Sequence, residues 1–268
     1  MSKKVERKAP MLLRRALVLN LFLIFFNPNM AFADNEFSLR NSYLKNWYIS
    51  CDADDGAIKK KGNSFYFSES KNNCGKPSKH KWQQRAEIKS DSVPLNFNGK
   101  LSFKYTLSLN SSSTEKFTFF QIHDGRESCS PPLKIDWTDT NFIRLESHYK
   151  IKGKGEEYCV PNWNMRNAKA LEPIVLRRDG TKYDVEVLLA FDGEGNFSVE
   201  ISVDDKLVLV SAYQHDSTFA SVKTEGNLTV INPVFEKSKK FYFKQGNYSL
   251  RFFNYDLNFE NMKIEKVR

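Results

Sequence analysis

From residue 83 onward, apolar and polar positions alternate in short runs separated by polar clusters. "GKLSFKYTLSL" (99–109) alternates and stops at Asn110-Ser111-Ser112-Ser113, and "KFTFFQIH" (116–123) follows. "NFIRLESHYKI" (141–151) alternates again as far as Gly153. "YDVEVLLAF" (183–191) is closed by Asp192-Gly193-Glu194-Gly195, and "NFSVEISVDDKLVLV" reads as a hairpin turning at Asp204-Asp205. The final segments are "KFYFKQGNYSLRFF" and "LNFENMKIEKV"; within the first, 241–252 reads as one strand with an interruption. Helical periodicity is weak, with one or two turns expected only over Asn164–Leu171. Many short strands without intervening helices predict an all-β fold, a jelly-roll sandwich.

The N-terminus reads differently. Residues 1–33 begin with Lys3, Lys4, Arg7, Lys8, Arg14 and Arg15, continue through an apolar run from Ala16 to Phe26, and close on Ala31-Phe32-Ala33. This is the pattern of a secretory signal peptide, with an uncleaved anchor as the alternative. Arg14-Arg15 lacks the surroundings of a twin-arginine signal, so a Sec-type leader is expected. The expected product is a single domain, 34–268, starting at Asp34, periplasmic or secreted and monomeric, with no stable membrane insertion. Its charge differs from that of the full chain, which carries +9. Without the six basic residues and one acid (Glu6) of the leader, 35 basic and 31 acidic residues remain, net +4. That mild excess suits an anionic partner but not a nucleic acid, which calls for a concentrated basic face.

Four cysteines, Cys51, Cys74, Cys129 and Cys159, lie in the exported part. An even count in an oxidising compartment predicts two disulfides. Three pairings are open, and 51–74 with 129–159 is preferred because both loops are local. The spacing contains no zinc-ribbon pair, and the four histidines show no ligand spacing. No metal site or cofactor is expected, while structural calcium stays open.

Three strands break the rule that one face is apolar. Arg85 and Glu87 share a face in "QQRAEIK" (83–89), Gln121 and His123 in "FFQIHD" (119–124). Tyr242, Lys244, Gly246 and Tyr248 share a third, where Gly246 removes a side chain at a point of close approach. Alone, each has an ordinary explanation: a surface histidine, a solvated ion pair, an aromatic filling the gap beside a glycine. Trp82, Trp137 and Trp163 could stack on sugars, but burial is the expected role for each. The combination on one all-β chain is more specific.

"RAEI", "QIH" and "YFKQGNY" (242–248) together resemble the R-[ST]-E-[LV], Q-[IV]-H and Y-F-K-A-G-x-Y strands of jelly-roll alginate lyases. "SPPLKIDW" (130–137) and "YDVEVLLAFDGEGNFSVEISVDDKLV" also resemble their heparin-lyase-I-like relatives. The resemblance covers roughly 82–253; Ala86, Gln245 and Ser249-Leu250 depart from the alginate lyase pattern. It implies a concanavalin A-like jelly roll and a polysaccharide lyase that cleaves a uronic-acid-containing anionic polysaccharide by β-elimination. Arg85 and Gln121 would hold the substrate carboxylate, and His123 and Tyr248 would share the proton transfers. Lys244, Glu87 and Gly246 would meet the substrate, with Lys244 also depressing the Tyr248 pKa. The rival classes are a non-catalytic carbohydrate-binding module and a glycoside hydrolase. The hydrolase would need paired carboxylates on one strand face, and no E-x-D-x-x-E pattern occurs.

Overall fold

The computed structural model describes residues 36–50, 53–71, 84–153, 155–214, 220–224, 227–231 and 234–268. Residues 1–33, Cys51, Cys74 and Trp82 lie outside these residues. In chain order the strands are β1 (Glu36–Ser38), β2 (Asn46–Ile49), β3 (Ile58–Lys61), β4 (Ser64–Ser68), β5 (Gln84–Ser90), β6 (Val93–Pro94) and β7 (Asn98–Asn110). They continue as β8 (Phe117–His123), β9 (Leu133–Trp137), β10 (Ile143–Glu146), β11 (His148–Gly153) and β12 (Glu156–Pro161), followed by the one-turn helix α1 (Trp163–Arg166). Then come β13 (Asp179–Asp192), β14 (Phe197–Val203), β15 (Lys206–Tyr213), β16 (Ala220–Thr224), β17 (Asn227–Ile231), β18 (Val234–Phe235), β19 (Lys240–Ser249) and β20 (Asp256–Val267).

Two antiparallel sheets form a jelly-roll sandwich. One runs β1-β2-β5-β19-β8-β9-β10, with β6 also paired to β19; the other runs β15-β14-β13-β7-β20-β4-β3. The period-two pattern dictates what lies between them. Ala86 and Ile88 of β5, Phe241 and Phe243 of β19, and Phe120 and Ile122 of β8 are fully buried. Phe103 of β7 meets Phe243 at 4.7 Å and Phe120 at 5.2 Å between ring centroids, so aromatic rings join the sheets. Each such ring contributes about 1.5–3 kcal/mol by leaving water.

The Asp204-Asp205 hairpin forms as expected, with φ of 49° and 61° at its two turn residues, the doubly positive pair that matches strand twist. Two expectations are corrected. The run 141–151 is not one strand. At Ser147 the hydroxyl donates to the Pro132 carbonyl (2.5 Å) and the carbonyl accepts from Asn162 N–H (2.9 Å). There the chain leaves the large sheet; β10 pairs with β9, whereas β11 pairs with β12 and β18. The run 241–252 likewise ends its pairing at Ser249, whose hydroxyl donates to the Arg251 carbonyl (2.8 Å). The expected helix over 164–171 is the single turn 163–166.

Candidate active site

The outer face of the eight-stranded sheet carries the polar side chains. Because β5, β19, β8 and β9 are neighbours, their outward residues form rows across the strands. Tyr248 lies opposite Arg85, and Lys244 opposite both Lys89 and Gln121. Tyr242 lies opposite His123, and their rings stack 5.1 Å apart at 18°. Gln121 in turn lies opposite Lys134 of β9. Arg85, Gln121, His123, Lys244 and Tyr248, read from three separate stretches of sequence, are therefore brought together on one face. Two bulges interrupt the pairing beside these rows, one on β19 between Gln245 and Tyr248, the other on β8 between Thr118 and Phe120. An extra residue in one strand re-aims the side chains that follow it.

Glu87 shares that face but is only 1% exposed. Its Oε1 accepts a hydrogen bond from Gln121 Nε2, and its Oε2 lies 3.4 Å from Arg85 Nε. The other end of the same amide meets the histidine, with His123 Nε2 3.1 Å from Gln121 Oε1. Glu87, Gln121 and His123 thus form a continuous chain. Burial raises the Glu87 pKa, opposed chiefly by Lys244 and then by Arg85. Burial, followed by the charges of Lys244, Arg85 and Lys134, holds His123 well below its ordinary value. Lys244 is also lowered by burial, against the attraction of Glu87.

The Tyr248 ring packs under cations. The Arg85 guanidinium carbon stands 4.4 Å from its centroid and Lys134 Nζ 6.0 Å. These two, rather than Lys244, stack on the ring. Gly246 has φ +128°, and a Cβ there would come within 2.2 Å of the Ala86 carbonyl oxygen, 2.9 Å of Glu87 Cα and 3.0 Å of the Phe67 ring. The crowding comes from β5 and the core.

Beside Lys244 a cavity of about 520 Å³ is lined by Tyr48, Lys89, Lys240 and Tyr242 among others. Lys89, Lys134 and Asp136 lie on the same face without belonging to the motifs that stand out in the sequence. The last two share a face in "LKIDW", which alternates as visibly as the strands that were singled out. Cys129 and Cys159 are joined as expected, Cα–Cα 5.3 Å, fastening the segment after β8 to β12. Trp137 is buried, but Trp163 is 60% exposed, against the expectation for it. Among the described residues no group of three or more His, Cys, Asp or Glu side chains could hold a metal ion.

The family model described as alginate lyase matches residues 35–264. The chain belongs to the alginate lyase family. It is therefore a polysaccharide lyase, a class that acts on anionic polysaccharides. A comparison with curated proteins finds no match. Among solved structures, this alginate lyase family member is similar to an alginate lyase of polysaccharide lyase family 7, with 14% identity over 87% of this chain and 94% of the other, TM-score 0.45. It is also similar to the endo-β-1,4-glucuronan lyase of Trichoderma reesei, 12% identical over 87% and 94%, TM-score 0.46. An alginate lyase from Pseudomonas aeruginosa shows 10% identity over 80% and 87%, TM-score 0.43. Membership rests on the sequence match.

Proposed function

We propose that this enzyme cleaves a uronic-acid polysaccharide on the outer face of the eight-stranded sheet, with Arg85, Gln121, His123 and Tyr248 as its catalytic residues. The observation that carries the reading is the convergence of these four on one face, with the Gln121 amide held between Glu87 and His123. In β-elimination a base removes the C5 proton, and the freed electron pair forms the C4–C5 double bond. The C4–O4 bond breaks, and O4 takes a proton from an acid. The C5 proton is weakly acidic, so the charge developing on the adjacent carboxylate needs fixed donors. Arg85 and the second N–H of Gln121 supply them, with Lys244 adding positive charge.

An ionised Glu87 only accepts, so it draws the Gln121 NH₂ toward itself and turns Oε1 to His123. His123 then carries its proton on Nε2, and Nδ1 is the basic nitrogen. With its pKa depressed, the imidazole is neutral at neutral pH and able to take a proton. Tyr248 protonates O4 and, where base and acid act on one side of the sugar, serves as both. In this reading Glu87 positions Gln121 instead of meeting substrate, and Gly246 serves the packing of β19 on β5. None of these steps needs a cofactor. A basic, apolar leader ending in Ala-x-Ala and the Cys129–Cys159 bridge favour export to the periplasm or beyond.

The test is a screen across alginate, glucuronan, heparin-type chains and hyaluronan, following the ultraviolet absorbance of the unsaturated product. The wild type is expected to produce it on at least one polymer, and Tyr248→Phe to lower turnover on that polymer by about 10²–10⁴. Reducing ends without unsaturation would indicate a hydrolase, and neither signal a binding module. Turnover of Tyr248→Phe close to wild type would sink the assignment of roles.

A further inference from the structure

Trp163 belongs to none of the groups above, yet it is a large aromatic residue left 60% exposed. Its presentation is built into the fold. Asn162, 1% exposed, caps the single turn of α1 by accepting from Met165 N–H (3.3 Å), and its own N–H is tied to Ser147 (2.9 Å) at the β10–β11 junction. Met165 on the same turn is fully buried and anchors it. The indole is thus held out from a fixed turn rather than from a loose loop. The Arg166 guanidinium stands 4.9 Å from the Trp163 ring, and Arg166 is itself fixed by Glu146, at 3.0 Å from Nε and 3.5 Å from Nη2.

Glu146 connects this pair to the catalytic face. It is an outward residue of β10, in register with Lys134 of β9, and Lys134 stands over the Tyr248 ring. Tyr248, Lys134, Glu146, Arg166 and Trp163 therefore form a row running from the catalytic tyrosine to the edge of the sheet. From β19 to β10 the row crosses three strand spacings, about 14 Å, enough for a few sugar rings. It is also cationic. Lys116, Arg144 and Arg166 pair with Asp136 and Glu146, and Lys134 is attracted by these two and by Glu87, so among the described residues four cations meet three carboxylates.

We infer that Trp163 and Arg166 form an accessory subsite that stacks on and ion-pairs with a uronate residue of the bound polymer, several sugars from the cleavage point. A flat aromatic face suits the apolar side of a pyranose ring, and a guanidinium beside it suits the ring's carboxylate. The inference rests on the lyase reading for its substrate class.

The experiment measures steady-state cleavage of alginate and glucuronan by the wild type and Trp163→Ala. Indole emission of Tyr248→Phe is also followed during titration with the same polymers, with and without Trp163→Phe. Trp163→Ala is expected to raise KM for the degraded polymer about tenfold, with kcat within about twofold. The emission change on binding is expected to disappear with Trp163→Phe. An unchanged KM, a fall in kcat at constant KM, or an emission change that survives Trp163→Phe would each overturn the subsite. Absence of unsaturated product from the wild type on these and on the heparin-type chains and hyaluronan of the screen would instead overturn the lyase reading, and the titration would still decide whether Trp163 binds the chain.

Discussion

Glu87 shows how far one residue's role depends on its neighbours. Its sequence context, Arg-x-Glu on one strand face, was legible and correctly put it beside Arg85. What could not be read was its depth, because the groups that surround it come from elsewhere in the chain: Gln121 from β8 and Lys244 from β19. Hydrogen bonds to charged groups are worth about 1.5–3 kcal/mol. Glu87→Ala should release the Gln121 amide and lower kcat by roughly 10- to 100-fold. Glu87→Gln still offers an oxygen to the Gln121 NH₂, so it should retain the His123 Nε2–H tautomer and more activity than the alanine variant. Nitrogen-15 shifts of the imidazole read the tautomer directly. If His123 has the same tautomer in wild type and Glu87→Ala, with equal kcat, Glu87 does not position the pair.

At the level of the element, β19 was the most legible strand and also the most misleading. Its outward row was correct, and the glycine inside it marked something. In the structure it sits at a bulge, where a Cβ would meet the β5 backbone. Pairing with β5 is regular through Gly246, whereas pairing with β8 slips by one residue between Gln245 and Tyr248. A slip of this kind depends on which strand lies alongside, and a sequence of 12 residues does not contain that. The split of 141–151 has the same cause, since the partners of Ser147 are Pro132 and Asn162. The glycine reading leads to a definite expectation. Gly246→Ala combines a strained φ with a clash against the β5 backbone, costing on the order of 3 kcal/mol. For a domain of this size that is a fall in Tm of about 6–12 °C. If Gly246→Ala keeps the wild-type Tm and loses only polymer affinity, the residue serves substrate clearance after all.

For the molecule as a whole, alternation alone revealed the sandwich, because sheets buried on one face leave that mark on sequence. Charge was less transparent. The full-chain value of +9 owes much to residues 1–33, and the charge beside the candidate site is assembled from β9, β10 and α1. The same crowding of cations shapes the response to acid. Burial first, then Lys134 and Arg166, bring His148 from 6.5 down to about 4, and His123 is lowered as well. Between those values the unfolded chain binds protons that the folded chain refuses, so stability is lost as pH falls from about 6.5 toward 4. His148 accounts for on the order of 1–2 kcal/mol of that loss once solvent screening is allowed for. Thermal unfolding should therefore show Tm falling between pH 7 and pH 4.5, and His148→Gln should flatten the fall whatever it does to Tm at pH 7. The polymer should counteract it, since a polyanion bound to the native face stabilises that state alone and favours the protonated imidazoles. An identical pH slope in wild type and His148→Gln would show that this histidine is protonated as readily in the folded protein as in the unfolded chain.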